Sequence, residues 1–108
     1  MSFADKVIVI TGASDGIGAE LARQLARDRP KLVLAARRPG ALQEVAAQCE
    51  ALGATTLIVP TDVSVEADCR ALIDAAVEKF GRIDALVNNA GVSMHAAFGD
   101  ITDTDVYE

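Results

Sequence analysis

The sequence predicts an α/β fold in which a doubly wound parallel sheet lies between two layers of helices. Four short apolar runs, rich in β-branched residues, alternate with longer segments of helical periodicity. The runs lack apolar–polar alternation, so each strand should be buried on both faces. Hydrophobic residues make up 51% of the 108 residues and aromatic residues only 4%, which is typical of such layers. Right-handed crossovers and the strand order 3-2-1-4 are therefore expected.

The predicted elements follow one another without repeats or linkers. The four strands are placed at residues 7–10, 32–36, 56–59 and 85–87. The first helix follows a glycine-rich segment and ends before Pro30. Its apolar stripe is expected to contain Ile17, Leu21, Ala22, Leu25 and Ala26.

The next two helices carry recognisable boundary signals. Pro39 suits the first turn of the second helix, and Gly53 suits its end. Ser64 is placed to cap the third helix, which Gly81 should close. The expected apolar stripes are Leu42, Val45, Ala46, Cys49 and Leu52 on the second helix, and Cys69, Leu72, Ile73, Ala76, Val77 and Phe80 on the third.

Composition excludes several classes of protein. Ten basic against sixteen acidic residues give a net charge of −6, so no basic stripe is available for nucleic acid. No apolar run approaches the ~18 residues of a membrane span, and no secretory leader is visible. Two cysteines, Cys49 and Cys69, are too few for a disulfide scaffold and are expected to be buried free thiols. A cytoplasmic location is predicted.

The end of the sequence predicts an interrupted fold. A helix is expected to begin near Asp103, yet only five residues follow that position. The fourth strand would be an edge strand, although it is apolar and carries no protective Lys or Pro. Residues 1–108 are therefore expected to be the N-terminal portion of a larger domain, truncated after four strands.

A glycine turn, residues 12–18, connects the first strand to the first helix. Glycines in such a turn allow a sharp reversal, a close approach of backbone to a pyrophosphate and tight helix–strand packing. The helix N-terminus offers unpaired N–H groups to a phosphate, and Ser14 could add a hydroxyl donor. Asp15 would repel an anion unless it points away or caps the helix. Taken alone, the glycines also suit a turn without a ligand.

Three motifs at successive strand ends resemble the short-chain dehydrogenase/reductase family. They are Thr11-Gly12-x-x-x-Gly16-Ile17-Gly18, Asp62-Val63 and Asn88-Asn89-Ala90-Gly91. The resemblance covers essentially the whole chain in the right order and spacing. It implies a Rossmann fold and an NAD(P)(H) cofactor, with an NAD(P)-binding domain over 1–108.

The resemblance also assigns roles to particular residues. The cofactor phosphates would lie against the glycine segment, namely Gly12, Ser14, Gly16, Ile17 and Gly18. Asp62 would contact the adenine amino group, and Val63 would line the adenine pocket. Asn88, Ala90 and Gly91 would steady the fourth strand and border the ribose and nicotinamide, although Asn88 and Asn89 could act mainly by tying strands together.

The end of the second strand predicts the choice of nicotinamide cofactor. Sites that prefer NAD usually place a carboxylate ~20 residues beyond the glycines, on the ribose hydroxyl. Here Arg37 stands 19 residues past Gly18, and Arg38 follows it. Guanidinium groups match a 2′-phosphate, so NADP(H) is preferred over NAD(H) in this prediction. The alternative is that the two arginines are only the solvated end of the strand.

The family's catalytic residues have no counterpart, so no catalytic residue is assigned. The family uses a Ser and a Tyr-x-x-x-Lys pair, whereas Tyr107 lacks the lysine and Ser93 lies in a loop. His95 could touch a substrate but suits an exposed loop as well. The expected function is cofactor binding within an oxidoreductase that acts on alcohols or carbonyls and forms a homo-oligomer. The alternative is a non-catalytic nucleotide-binding or interaction module that ends at Glu108.

Overall fold

A computed structural model describes residues 3–14 and 16–89 of the chain. These residues form four strands and three helices in strict alternation. The strands are β1 (Val7–Thr11), β2 (Lys31–Ala36), β3 (Thr55–Pro60) and β4 (Ala85–Asn88). The helices are α1 (Gly16–Ala26), α2 (Pro39–Ala51) and α3 (Glu66–Phe80). The four strands lie within one residue of their predicted positions, and α1 ends before Pro30 as predicted.

The strands form one parallel sheet in the order β3-β2-β1-β4, which confirms the predicted 3-2-1-4 arrangement. Register places Val9 of β1 beside Val33 of β2 on one side and beside Leu86 of β4 on the other. Because every strand runs the same way, the loops that follow the strands all open at one edge of the sheet. This carboxyl edge is where a ligand site is expected.

Alternate residues of the buried strands separate two hydrophobic cores. Ile8 and Ile10 of β1 face α1 and α2, whereas Val7 and Val9 face α3. All five residues of β1 are buried, as predicted for a strand covered on both faces. Cys49 and Cys69 are buried in opposite cores and form no disulfide, and burial raises the pKa of each.

The helices differ from prediction mainly in which side chains they bury. Helix α1 buries a face of small residues, Gly18, Ala19, Ala22 and Ala26. Small residues let this helix approach the sheet closely. Leu21 and Leu25 are therefore only partly buried at the margin, and Ile17 is 78% exposed rather than part of the core stripe. Leu52 and Val77 are also exposed at the ends of their predicted stripes.

The helix boundaries confirm three of the predicted signals and contradict one. Pro39 opens α2, and Gly53 follows the end of that helix with a positive φ of 114°. Gly81 closes α3 in the left-handed conformation at φ 84°. Ser64 does not cap α3, since the residue in the cap position is Val65 and no side chain bonds to the helix end. In the part of the chain that the structure describes, no helix combines the length and apolar character needed to cross a bilayer.

At the amino edge of the sheet, Asp84 fastens β1 to the start of β4. Its amide donates to the Val7 carbonyl at 2.8 Å, and its carboxylate accepts from the Val7 amide at 2.8 Å. Partial burial opposes the charge, but the bonds from Val7 and Arg82 prevail and lower the pKa of Asp84. This edge is closed by polar contacts, whereas the opposite edge is open.

Candidate functional site

A cavity of about 480 Å³ lies at the carboxyl edge, where the loops after β1, β2 and β3 meet. Its lining residues are Gly12, Ser14, Ala36, Arg37, Arg38, Thr61, Asp62, Val63 and Ser64. Six predicted site residues are therefore brought to one cavity from three loops: Gly12, Ser14, Arg37, Arg38, Asp62 and Val63.

The glycine turn is shaped by close backbone packing between its two ends. A Cβ at Gly18 would lie 2.1 Å from the Gly12 carbonyl oxygen and 2.8 Å from Asn89 Nδ2. Gly12 itself has φ 63°, and the next amide, that of Ala13, donates to the Ala35 carbonyl at 3.1 Å. Gly18 is therefore required for packing, while Gly12 is required for the bend.

Gly16 opens α1 in a left-handed conformation, at φ 57°. A Cβ there would meet nothing within 4 Å, so the requirement is conformational and the space in front of the helix is open. Ile17 projects beside it into a separate shallow groove, shared with Glu20, Leu21 and Gln24. The structure thus places Gly16 and Ile17 at the helix N-terminus but outside the main cavity.

Two asparagines at the end of β4, Asn88 and Asn89, contact the end of β1 and the glycine turn. Asn89 Nδ2 donates to the Gly12 carbonyl at 3.3 Å. Asn88 is buried, and its Oδ1 accepts from the Thr11 hydroxyl at 3.2 Å. Both contacts join β4 to the end of β1, which is the strand-tying role that the sequence left open for these residues.

The two arginines after β2 border the cavity, and both are exposed. Arg37 Nε lies 3.9 Å from Asp62 Oδ2, with 78% of the arginine side chain accessible. Such an exposed ion pair is weak, so the guanidinium borders the cavity without being fixed in it. Arg38 precedes Pro39 in an extended conformation at the start of α2.

Asp62 is the most extensively bonded residue of the cavity. Its Oδ1 accepts from the Ser64 hydroxyl at 2.6 Å and from the Ser64 amide at 3.0 Å. These two bonds, with a smaller contribution from the nearby Arg37, hold the pKa of Asp62 below its usual value. The carboxylate therefore stays ionised at neutral pH.

The sequence analysis missed Ser64 and Asp68 as parts of this site. Ser64 lines the cavity and bonds to Asp62 instead of capping α3. Asp68, in the first turn of α3, accepts from the Asp62 amide at 2.9 Å. The available signal was the Asp62-x-Ser64 spacing, because Asp readily accepts from the residue two positions later in an Asx-turn.

Comparison with known proteins assigns the family. Residues 6–108 match the short chain dehydrogenase family. The chain belongs to this family. The predicted resemblance is therefore confirmed.

The curated relatives are plant hydroxysteroid dehydrogenases. The chain is 47% identical over 105 residues to 11-beta-hydroxysteroid dehydrogenase A of Sesamum indicum, covering 96% of this chain and 30% of that protein. It is 44% identical over 99 residues to 11-beta-hydroxysteroid dehydrogenase-like 4A of Arabidopsis thaliana, covering 91% and 33%. The chain thus spans about a third of the length of these relatives.

Solved structures of dehydrogenases share the fold. A hydroxysteroid dehydrogenase from Escherichia coli superimposes with a TM-score of 0.80 at 34% identity, over 84% of this chain and 39% of that one. An NADH-dependent reductase, A1-R′, complexed with NAD gives a TM-score of 0.77 at 33% identity, over 83% and 38%. The sheet and its helices are therefore those of the family's cofactor-binding fold.

The residues of the cavity fit a dinucleotide cofactor. Gly12 lines the cavity without a side chain, so a phosphate could approach the backbone there. Asp62 supplies an ionised acceptor, and Arg37 supplies a cation at the same cavity. The cavity thus combines a bare backbone segment, a cation and an ionised hydrogen-bond acceptor, which are groups that a dinucleotide can use.

Some predictions fall on residues outside those that the structure describes. They concern Ala90 and Gly91 of the asparagine motif, Asp15 in the glycine turn, Ser93, His95 and Tyr107, and the helix near Asp103.

Proposed function

We propose that this chain is the NAD(P)(H)-binding part of an oxidoreductase that transfers hydride between the nicotinamide and an alcohol or carbonyl substrate. The cofactor, once bound, supplies the hydride chemistry. The chain's own residues bind and orient it. The proposed domain covers residues 1–108, and its cofactor contacts are Gly12, Ser14, Gly16, Ile17, Gly18, Arg37, Arg38, Asp62, Val63, Asn88, Ala90 and Gly91.

The observation that carries this proposal is the meeting of three loops at one cavity. Gly12, Arg37 and Asp62 follow β1, β2 and β3, and all three line it. A packing role alone would require the glycines but not an accessible cation beside an ionised carboxylate. The names of the relatives, which are dehydrogenases of hydroxysteroids, support an alcohol or carbonyl as substrate.

Within that function we propose a preference for NADP(H). Arg37 presents an accessible guanidinium at the end of β2, where a selector of NAD would present a carboxylate. Its contact with Asp62 runs through Nε at 3.9 Å, a distance that leaves the pair weak. A 2′-phosphate offers a stronger, bidentate partner to the same group.

The test is to titrate the chain with NADPH and NADH and to compare dissociation constants. We expect NADPH to bind about tenfold tighter or more, the value of one charge-assisted hydrogen bond. Arg37→Glu should remove that advantage, because a carboxylate repels the 2′-phosphate and accepts from a ribose hydroxyl.

The matched control is Arg27→Glu, the same charge change just beyond the far end of α1. It should leave the NADPH:NADH ratio unchanged. Tighter binding of NADH by the unmodified chain would overturn the preference. If neither nucleotide bound, the proposed function would be overturned.

The complete protein is proposed to be a cytoplasmic homo-oligomer whose partner is a small-molecule alcohol or carbonyl, without nucleic acid or membrane partners. Two buried free cysteines support a reducing compartment. The net charge of −6 argues against a nucleic-acid partner. Light scattering of the complete protein would measure the oligomeric state.

A further inference from the structure

The polar atoms of Asp62 are bonded to the chain with one exception. Its amide donates to Asp68 Oδ2 at 2.9 Å, and its carbonyl accepts from the Val65 amide at 2.9 Å. Oδ1 accepts twice from Ser64. Among the described residues, Oδ2 has only the ion pair with Arg37 at 3.9 Å, beyond hydrogen-bonding distance. One carboxylate oxygen is therefore left to accept a bond from a ligand.

We propose that Ser64 is a positioning residue that fixes the orientation of the Asp62 carboxylate toward the base of the cofactor, and thereby strengthens the selectivity of the site for adenine. This inference rests on the proposed function, in which the adenine amino group donates to Asp62. By occupying Oδ1 with both its amide and its hydroxyl, Ser64 leaves Oδ2 to receive that amino group.

The loop around Asp62 is built to hold this orientation. Asp68 fixes the Asp62 amide from the first turn of α3, so the main chain cannot rotate freely. The neighbouring Thr61 is buried, and its amide donates to the Ala36 carbonyl at 2.8 Å. The Asp62 side chain could still rotate, and its two bonds to Ser64 restrain that rotation.

An asparagine at position 62 makes the role of Ser64 measurable. In Asp62→Asn the amide oxygen would take the place of Oδ1, because both Ser64 groups are donors. The NH₂ group would then face the ligand. Such a site repels the amino group of adenine and favours the carbonyl oxygen that hypoxanthine carries at the same ring position.

The experiment measures the dissociation constants of NADPH and of its hypoxanthine analogue. We expect about a tenfold adenine preference in the unmodified chain, corresponding to one hydrogen bond to a charged group. Ser64→Ala should reduce that ratio to about threefold, and Ser64→Thr, which keeps the hydroxyl, should restore it. Asp62→Asn should reverse the preference. Adding Ser64→Ala to Asp62→Asn should weaken the reversed preference, because only the backbone amide of residue 64 would then hold the side-chain amide oxygen in place.

A second variant tests the main-chain anchor. Asp68→Ala removes the acceptor of the Asp62 amide and should also lower the adenine preference. Asp74→Ala, an exposed residue on the same helix, is the matched control and should leave the ratio unchanged.

The outcomes separate this inference from the function on which it rests. If neither nucleotide binds, the proposed function itself fails. If NADPH binds and Ser64→Ala does not alter the preference of the site for NADPH over the hypoxanthine analogue, the positioning role is overturned. The positioning role is also overturned if Asp62→Asn gives the same ratio of dissociation constants for the two nucleotides with and without Ser64→Ala. The Ser64 hydroxyl would then have no influence on how the side-chain amide at position 62 is turned.

Discussion

The glycine turn and the loop of residues 61–65 border the same cavity but are held in place by opposite means. The turn depends on missing side chains, because a Cβ at Gly18 would lie 2.1 Å from the Gly12 carbonyl oxygen. The loop depends on side chains that are present, since Ser64 and Asp68 bond to the carboxylate and amide of Asp62. Steric exclusion fixes one wall of the site, and hydrogen bonding fixes the other.

This difference separates stability from recognition. A change in the turn displaces backbone that is packed between β1 and α1, so it should lower the free energy of unfolding. A change in the loop removes exposed hydrogen bonds that contribute little to stability but determine which atoms face a ligand. Variants of the turn should therefore show their loss in the free energy of unfolding, and variants of the loop should show theirs in ligand binding.

The largest effect is expected for Gly18→Ala. The new Cβ would overlap backbone, which cannot yield as a flexible side chain can, so the free energy of unfolding should fall by about 3 kcal/mol. Chemical denaturation measures it. The control is Gly40→Ala in α2, where a Cβ meets nothing within 4 Å, and a change below about 1 kcal/mol is expected. Equal losses for the two variants would show that the close approach is not what the turn depends on.

A smaller loss is expected for Gly16→Ala in the same turn. The Cβ has free space, but alanine resists the φ of 57°, at a cost of about 1 kcal/mol. The same denaturation experiment should place this variant between Gly18→Ala and Gly40→Ala. A loss as large as that of Gly18→Ala would show that conformational strain at Gly16 costs as much as the overlap at Gly18.

The smallest effect is the pH dependence of Ser64→Ala. The pKa of Asp62 is lowered in the folded chain, chiefly by the two bonds from Ser64, so its carboxylate adds stability above its unfolded pKa of about 3.9. That contribution is lost as the pH falls through the lower folded value. The difference in unfolding free energy between the parent chain and Ser64→Ala should therefore shrink from pH 6 to about pH 2.

Gly18→Ala provides the contrast for this measurement, because an overlap of uncharged atoms has no pH dependence. A Ser64→Ala difference that stayed constant with pH would show that the hydroxyl does not act through the Asp62 charge.

The glycine turn was predicted well from the sequence, because each position that must lack a side chain is occupied by a glycine. Gly12, Gly16 and Gly18 stand at the positions where the structure requires a bend, a left-handed residue and a close approach. The strands were equally predictable, because continuous β-branched runs suit a sheet covered on both faces.

Polar bonding in the loop was not predictable to the same degree. A serine two residues before a helix can cap it or bond to a nearby carboxylate, and only the path of the chain after Asp62 decides between them. Likewise, Ile17 matched the helical stripe, but the small residues of α1 carry the close contact and leave it exposed. In both cases the tertiary structure determines which of two locally possible arrangements forms.

The reciprocal bonds between Val7 and Asp84 have a consequence for how the chain is made. They join residues 77 positions apart, at the central strand and the last strand described. At synthesis rates of ~5–20 residues per second, β1 would wait roughly 4–15 s after leaving the ribosome before its β4 partner exists. During that interval an apolar strand lacks its neighbour on one side. Nascent chains paused before Asp84 should therefore be captured by chaperones, and those paused after the β4 segment has emerged should be released.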